Sequence, residues 1–191
     1  MRNGLPVDTD LTERIAFISS NTVVWSASWC VWMLSAVGLL IFCVILADEV
    51  QQDFRRTVGL SLVALGVLPD LCAQVIYALI IPKFVTNVSY HETVLILELI
   101  AMNLTGFLGN MLYNLGGMLL TLLVIKNGGV KRWVSAWGIV AWSLGIFLSI
   151  SIAMSNMMAA EYLTASSMVS STLWMLIVAY QVIRPKWNTQ Y

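Results

Sequence analysis

The feature that most constrains this chain is an apolar run about as long as a bilayer is thick, and it occurs five times. An α-helix rises 1.5 Å per residue, so about 20 apolar residues cross the ~30 Å hydrocarbon core. Runs of that length cover residues 23–47, 58–82, 104–125, 134–155 and 162–183. Charged residues fence them: Asp48 and Glu49, Arg55 and Arg56, Lys126, Lys131 and Arg132, and Arg184 before Pro185. Inside hydrocarbon each backbone N–H and C=O needs a partner within the protein, which favours helices, and the runs are too long and unbroken for barrel strands. The expected fold is therefore all-α, a polytopic transmembrane helix bundle of about five spans. Composition agrees. The chain of 191 residues is 59% hydrophobic and only 10% charged, whereas soluble domains carry about 25% charged residues.

The expected organisation is a polar N-terminal segment with a short interfacial helix (1–22), one membrane bundle (23–183) and a cytoplasmic tail (184–191). The first 13 residues are polar and lack the basic start and short apolar core of a secretory signal, so the mature protein is expected to begin near Met1. Two shorter apolar stretches, 14–22 and 91–103, precede spans. Each is too short to cross alone and reads as an interfacial helix or an extension of the following span beyond the membrane.

With five spans, Arg2, Arg14 and Lys83 fall on one side and Arg55, Arg56, Lys126, Lys131, Arg132, Arg184 and Lys186 on the other. The excess of basic residues marks the cytoplasmic side, so the N-terminus is expected outside. A weak two-span internal repeat is also legible. Glu13-Arg14-Ile15-Ala16-Phe17 echoes Glu98-Leu99-Ile100-Ala101-Met102, and the loops that follow carry Arg55-Arg56 and Lys131-Arg132. Parallel repeats of this kind occur in transporters.

Asp70 is the acid that stands out, mid-span after Pro69. A charged aspartate at that depth costs about 2.5–3.5 kcal/mol on insertion scales. Pro69 cannot donate to the helix ladder and is expected to kink the span. Gln74 and Tyr77 follow at helical spacing, so all three share one face, which should turn into the bundle. In the third span Asn103, Asn110 and Asn114 form a matching stripe beside Gly106, Gly109, Gly116 and Gly117, small residues that let helices approach closely. Counting at 1.5 Å per residue puts Asp70 ~21 Å from Arg56 and Asn114 and Asn110 ~18 and ~24 Å from Lys126, with Ser35 and Ser170 at similar depth. No lysine or arginine lies within a span, so Asp70 is expected to be held by Asn110, Asn114 or Tyr113. Two readings of this layer stand: interhelical glue, or a small cavity for a proton, a lipid head group or a small molecule.

Trp25, Trp29 and Trp32 recur at helical spacing on one face of the first span, and Trp133 and Trp137 on the fourth. They read first as an interfacial aromatic belt. The alternative is an aromatic wall for a flat ligand, for which Trp32, the deepest, is the best placed. In the fifth span Ser166 with Ser170 and Ser167 with Ser171 suit close packing, and Glu161 sits at the outer end.

Much is excluded. His91 is the sole histidine, and Leu95 stands where a second zinc ligand would fall after His91-Glu92. No lysine lies in a span to carry a Schiff base. No phosphate loop, nucleophile elbow or dinucleotide fingerprint is present. Cys30, Cys43 and Cys72 lie in apolar runs without metal-ligand spacing and read as small packing residues. Asn87-Val88-Ser89 is a glycosylation sequon on the expected outer side. No catalytic residue, cofactor or metal is expected, and with zero net charge and no basic patch, no nucleic-acid partner.

Arg14-Ile15-Ala16-Phe17, the spacing of Trp25, Trp29 and Trp32, Pro69-Asp70 with Gln74, and Leu112-Tyr113 before a glycine-bearing segment together resemble bacterial multi-pass inner-membrane proteins of the domain-of-unknown-function type. The resemblance implies a bacterial inner-membrane helical bundle in which Asp70 and Gln74 recur together. It implies no activity.

Three functional readings follow. The first is a non-enzymatic membrane bundle, with the bilayer as its surroundings, that binds a small apolar or amphipathic ligand or serves as an accessory subunit to partner membrane subunits. The second is a small proton-coupled transporter using Asp70. The third is a membrane enzyme with Asp70 or Glu98 as acid or base. The candidate site comprises Asp70, Gln74, Tyr77, Asn110, Tyr113, Asn114 and Trp32.

Overall fold

The computed structural model describes residues 2–6, 10–86, 90–127 and 130–188. Among these there are six helices and no strand: α1 (Leu11–Ser20), α2 (Thr22–Asp48), α3 (Phe54–Phe84), α4 (His91–Lys126), α5 (Arg132–Ala153) and α6 (Met157–Asn188). Five of them, α2 to α6, are long and apolar enough to cross a membrane. The chain is thus an all-α bundle with five candidate spans, as the apolar runs require. The glycosylation sequon Asn87-Val88-Ser89 lies outside the described residues.

Local sequence sets the helix ends. Asp53 caps α3, its carboxylate accepting the Arg55 backbone N–H at 3.1 Å. Asn21 separates α1 from α2, and its amide donates back to the Phe17 carbonyl at 2.9 Å. Between α5 and α6, Ser155 takes a positive φ of 56°. The backbone N–H of Ser155 donates to the Ile152 carbonyl and that of Asn156 to the Ser151 carbonyl, both at 2.9 Å, the pairing that closes a helix through a left-handed residue. Asn156 then opens α6 by accepting the Ala159 N–H at 3.1 Å. The helix of the fifth span, α6, does not stop at Arg184 and Pro185, as the sequence suggests; its backbone stays helical to Asn188.

Residues 91–103 are neither a crossing nor a separate surface helix. They are the first third of α4, whose 36 residues span ~54 Å, well beyond the ~30 Å core. The segment that echoes it, α1, is instead cut off from its span at Asn21. The two halves of the proposed repeat therefore differ where they were most alike in sequence, and they touch: Arg14 of α1 is ion-paired with Glu98 of α4 at 2.7 Å.

Two helices carry a wide π turn, Ile76–Ile80 in α3 and Asn103–Gly109 in α4. Pro69 does not break α3, which stays α-helical through it to Val75; the ladder changes one to two turns later. Side chains of α2 serve the wide turn. Trp25 Nε1 donates to the Tyr77 carbonyl and Ser26 Oγ to the Ala78 carbonyl, each at 2.7 Å.

The antiparallel contact of α3 with α4 is glycine on glycine. A Cβ on Gly66 would meet the Tyr113 backbone N at 2.6 Å and the Gly109 carbonyl at 2.7 Å; one on Gly116 would meet the Gly59 carbonyl at 2.5 Å. Backbones this close are the membrane solution to packing where lipid offers no hydrophobic drive. Larger groups use the same device on α5 and α6. The Trp142 indole fills the space over Gly117 and the Trp174 indole that over Gly138. Trp142 and Trp174 meet edge to face at 5.5 Å.

Two apolar cores result. One joins α1 with the start of α2, the end of α3 and the start of α4, around Ile18, Trp25, Tyr77 and Val94. The other joins the far halves of α2, α3 and α4 with α5 and α6, around Cys43, Val63, Leu120, Trp142 and Trp174. Along α3 and α4 the stretch between them holds Asp70, Asn110 and Asn114, so the bundle has a polar waist.

Candidate functional site

The waist opens into a cleft of about 520 Å³. Its floor is α3, α4 and α5, and its walls are α2 and α6, with Trp32, Ser35 and Leu39 on one side and Thr164, Ser167 and Ser171 on the other. Beyond Leu39 and Met175, which line one end, Phe42 of α2 meets Trp174 of α6 edge to face at 5.4 Å. Leu5 and Pro6 cover the other, where Arg2 and Glu161 are ion-paired at 2.6 Å. Val31 and Met168 line the cleft from opposite walls and are both exposed, so it opens sideways between α2 and α6.

Asp70 is buried on the floor. Its partner is not the one expected. Thr105, in the π turn of α4, donates its hydroxyl to Asp70 Oδ1, and the Gln74 amide is the second side chain set against the carboxylate. Thr105 was missed because a lone threonine in an apolar span is usually satisfied by its own helix; the one available signal was its place beside Gly106, where bulk is absent.

The asparagines serve another purpose. Asn110 Nδ2 donates to the Gly145 carbonyl at 2.8 Å and to Ser149 Oγ at 3.0 Å, tying α4 to α5. Asn114 Nδ2 donates to the Asn110 carbonyl at 2.6 Å and to its Oδ1 at 2.8 Å. Gly145 leaves room for this, since a Cβ there would lie 2.2 Å from Asn114 Oδ1. Asn110 and Asn114 line the cleft, but Asn110 ties α4 to α5 and Asn114 bonds Asn110 within α4; neither is hydrogen-bonded to Asp70. Asn103, the third member of the stripe, is exposed and donates to its own helix at Leu99.

Of the other predicted residues, Trp32, Tyr77 and Tyr113 line the cleft with Asp70, whereas Gln74 is buried behind it. The Tyr77 hydroxyl donates to the Glu98 carbonyl at 3.4 Å. Its ring stacks on Trp29, with centroids 4.3 Å apart and planes within 4°.

The aromatic belt needs correcting. Trp25 and Trp29 are 1% and 7% exposed and face the protein, not the interface. Trp29 Nε1 has no hydrogen-bond partner among the described residues, although Trp29 lines the cleft. Trp133 is exposed as a belt residue should be, while Trp137 turns inward to donate to Ser170 Oγ at 2.9 Å. The cysteines also divide: Cys43 is a packing residue, but Cys30 and Cys72 are on the outside of the bundle.

No group of three or more metal-ligating side chains occurs among the described residues. Comparison with known proteins finds no matching family model, no similar curated protein and no similar solved structure.

Proposed function

We propose that this integral membrane protein is not an enzyme but binds a small amphipathic molecule in the cleft between α2 and α6. The observation that carries the reading is the conjunction of a side-opening apolar cleft with one buried carboxylate on its floor. Small-molecule sites have this anatomy: a volume of some hundreds of Å³, mostly apolar walls and a few convergent polar groups. An acid within a membrane span favours the same reading, because its cost persists unless it has work to do. Two π turns flank the floor and contribute Tyr77 and Thr105 to it; such turns are frequent at functional sites.

Glu98 is a weaker candidate for chemistry, since its carboxylate is engaged by Arg14. A proton-coupled transporter would use the same cleft and the same acid, and it would add uptake that depends on pH. The N-terminus-outside orientation and a bacterial inner-membrane location are part of this proposal, resting on the distribution of basic residues and on the resemblance above.

The test is mass spectrometry of the full chain after gentle detergent extraction. The expected result is a stoichiometric amphiphile retained by the wild type and depleted in Trp32→Ala, with both proteins equally folded. Wild-type protein that retains nothing, and takes up no amphiphile when supplied, overturns the reading.

A further inference from the structure

The cleft has a sign. The carboxylic acids that line it are Asp70 and Glu161, and no lysine, arginine or histidine lines it among the described residues. Glu161, at the mouth, is already engaged by Arg2. Asp70, on the floor, meets a hydroxyl and an amide, which share a negative charge but do not neutralise it. Burying an uncompensated carboxylate costs several kcal/mol, and an opposite charge brought to it offsets that cost most effectively. The walls add a second preference. Trp29, Trp32, Tyr77, Tyr113 and Trp142 bring five aromatic side chains to one cavity, and ring faces attract cations, more so where water is excluded. Trp29 adds a buried indole N–H lacking a partner among the described residues, a donor that an oxygen elsewhere on a ligand can accept.

We infer that the cleft selects amphiphiles with a cationic ammonium head, the nitrogen seated against Asp70 among the aromatic side chains and the chain leaving sideways between α2 and α6. This rests on the ligand-binding reading above and names the class of ligand. An anionic head would meet the Asp70 carboxylate, and a neutral alcohol would leave the charge of Asp70 uncompensated.

The experiment uses the full chain in nanodiscs of uncharged phosphatidylcholine and three probes that share a twelve-carbon chain: dodecyltrimethylammonium, dodecanol and dodecyl sulfate. Binding is read by equilibrium dialysis against empty nanodiscs. The expected result is saturable binding of the ammonium, about tenfold or more tighter than that of the alcohol, with no saturable binding of the sulfate. Asp70→Asn should remove that preference and Asp70→Glu, which keeps the charge, should retain it, with the melting temperature of each variant reporting its folding. Saturable binding of the alcohol equal to that of the ammonium, or a preference that survives in folded Asp70→Asn, overturns the ammonium while leaving a ligand site. Absence of saturable binding by all three overturns both.

Discussion

Arg14 Nη2 lies 2.7 Å from Glu98 Oε2, joining two segments 84 residues apart, and the two residues are 7% and 3% exposed. Glu98 is ~42 Å along α4 from Lys126, farther than the ~30 Å core is thick. The pair, which holds α1 against α4, therefore lies more than one core thickness along α4 from its basic end. Removing one partner of a buried pair strands the other charge and costs about 3–5 kcal/mol, whereas replacing both with apolar groups is often neutral. Arg14→Leu or Glu98→Leu alone should lower the melting temperature sharply, and Arg14→Leu with Glu98→Leu should recover most of the loss. A double variant whose loss equals the sum of the two single losses would show that the pair is not coupled.

The glycines of the α3–α4 contact make a sharper prediction than most packing arguments, because the obstacle is backbone. At Gly66 a methyl group would overlap the Gly109 carbonyl and the Tyr113 backbone N. Neither can rotate away, so the helices must separate. Overpacking of this kind costs about 1–3 kcal/mol or more. Gly38 in α2 has nothing within 4 Å of its Cβ position. Gly38→Ala should be neutral or slightly stabilising, since alanine is the better helix former by about 1 kcal/mol. Thermal unfolding of Gly66→Ala and Gly38→Ala in one detergent checks both; similar behaviour would mean that the α3–α4 contact is looser than its geometry.

These two contacts also mark where sequence stops informing. The spans were legible because length and hydropathy are local properties, and Asp70 because one acid in an apolar run is visible without a partner. The pairing of Arg14 with Glu98 was not, although both residues belong to the echo between the two segments. Which of two similar segments reaches across to the other depends on the break at Asn21 and the continuity of α4 through its π turn. Gly59 and Gly66 escaped notice for a related reason: Gly116 and Gly109 gave a stripe on one helix, and only the antiparallel register identifies the glycines that oppose them. Trp25 and Trp29 were misread because periodicity says that they share a face, not that the face meets Tyr77. Thr105 reaches Asp70 from within a wide turn, which a regular helical count does not contain.

At the opposite side of the bundle, Asp53 supplies a pH-dependent feature outside the spans. The Arg55 side chain, 2.8 Å away through Nε, and then the Arg55 backbone N–H hold its carboxyl below its ordinary value of 3.8. A depressed value means that the cap contributes stability above the unfolded-state value, ~3.9, and that this contribution fades as pH falls through the folded-state value. The carboxyl carbon of Asp53, followed by NMR in the folded protein, should titrate below 3.8, and Arg55→Ala should move its midpoint upward. A midpoint that Arg55→Ala leaves in place would remove Arg55 as the cause.

The turn between α5 and α6 stores a small cost that one substitution should release. Ser155 adopts φ 56° because it is the left-handed residue closing α5, and the hydrogen bonds from Ser155 to Ile152 and from Asn156 to Ser151 depend on that conformation. For an L residue with a Cβ the left-handed region costs roughly 1–2 kcal/mol, and glycine is free of that penalty. Glycine also has more conformations to lose on folding, which returns part of the gain, about 0.5–1 kcal/mol. Ser155→Gly should therefore raise stability by roughly 0.5–1 kcal/mol, a shift of a few degrees or less for a chain of this size. Ser155→Val, branched at Cβ, should lower it. The two variants differ in backbone freedom at one turn remote from Asp70, so their melting temperatures should diverge while amphiphile binding in the cleft stays the same; a Ser155→Gly variant less stable than wild type would show that the serine is held there by something other than its backbone.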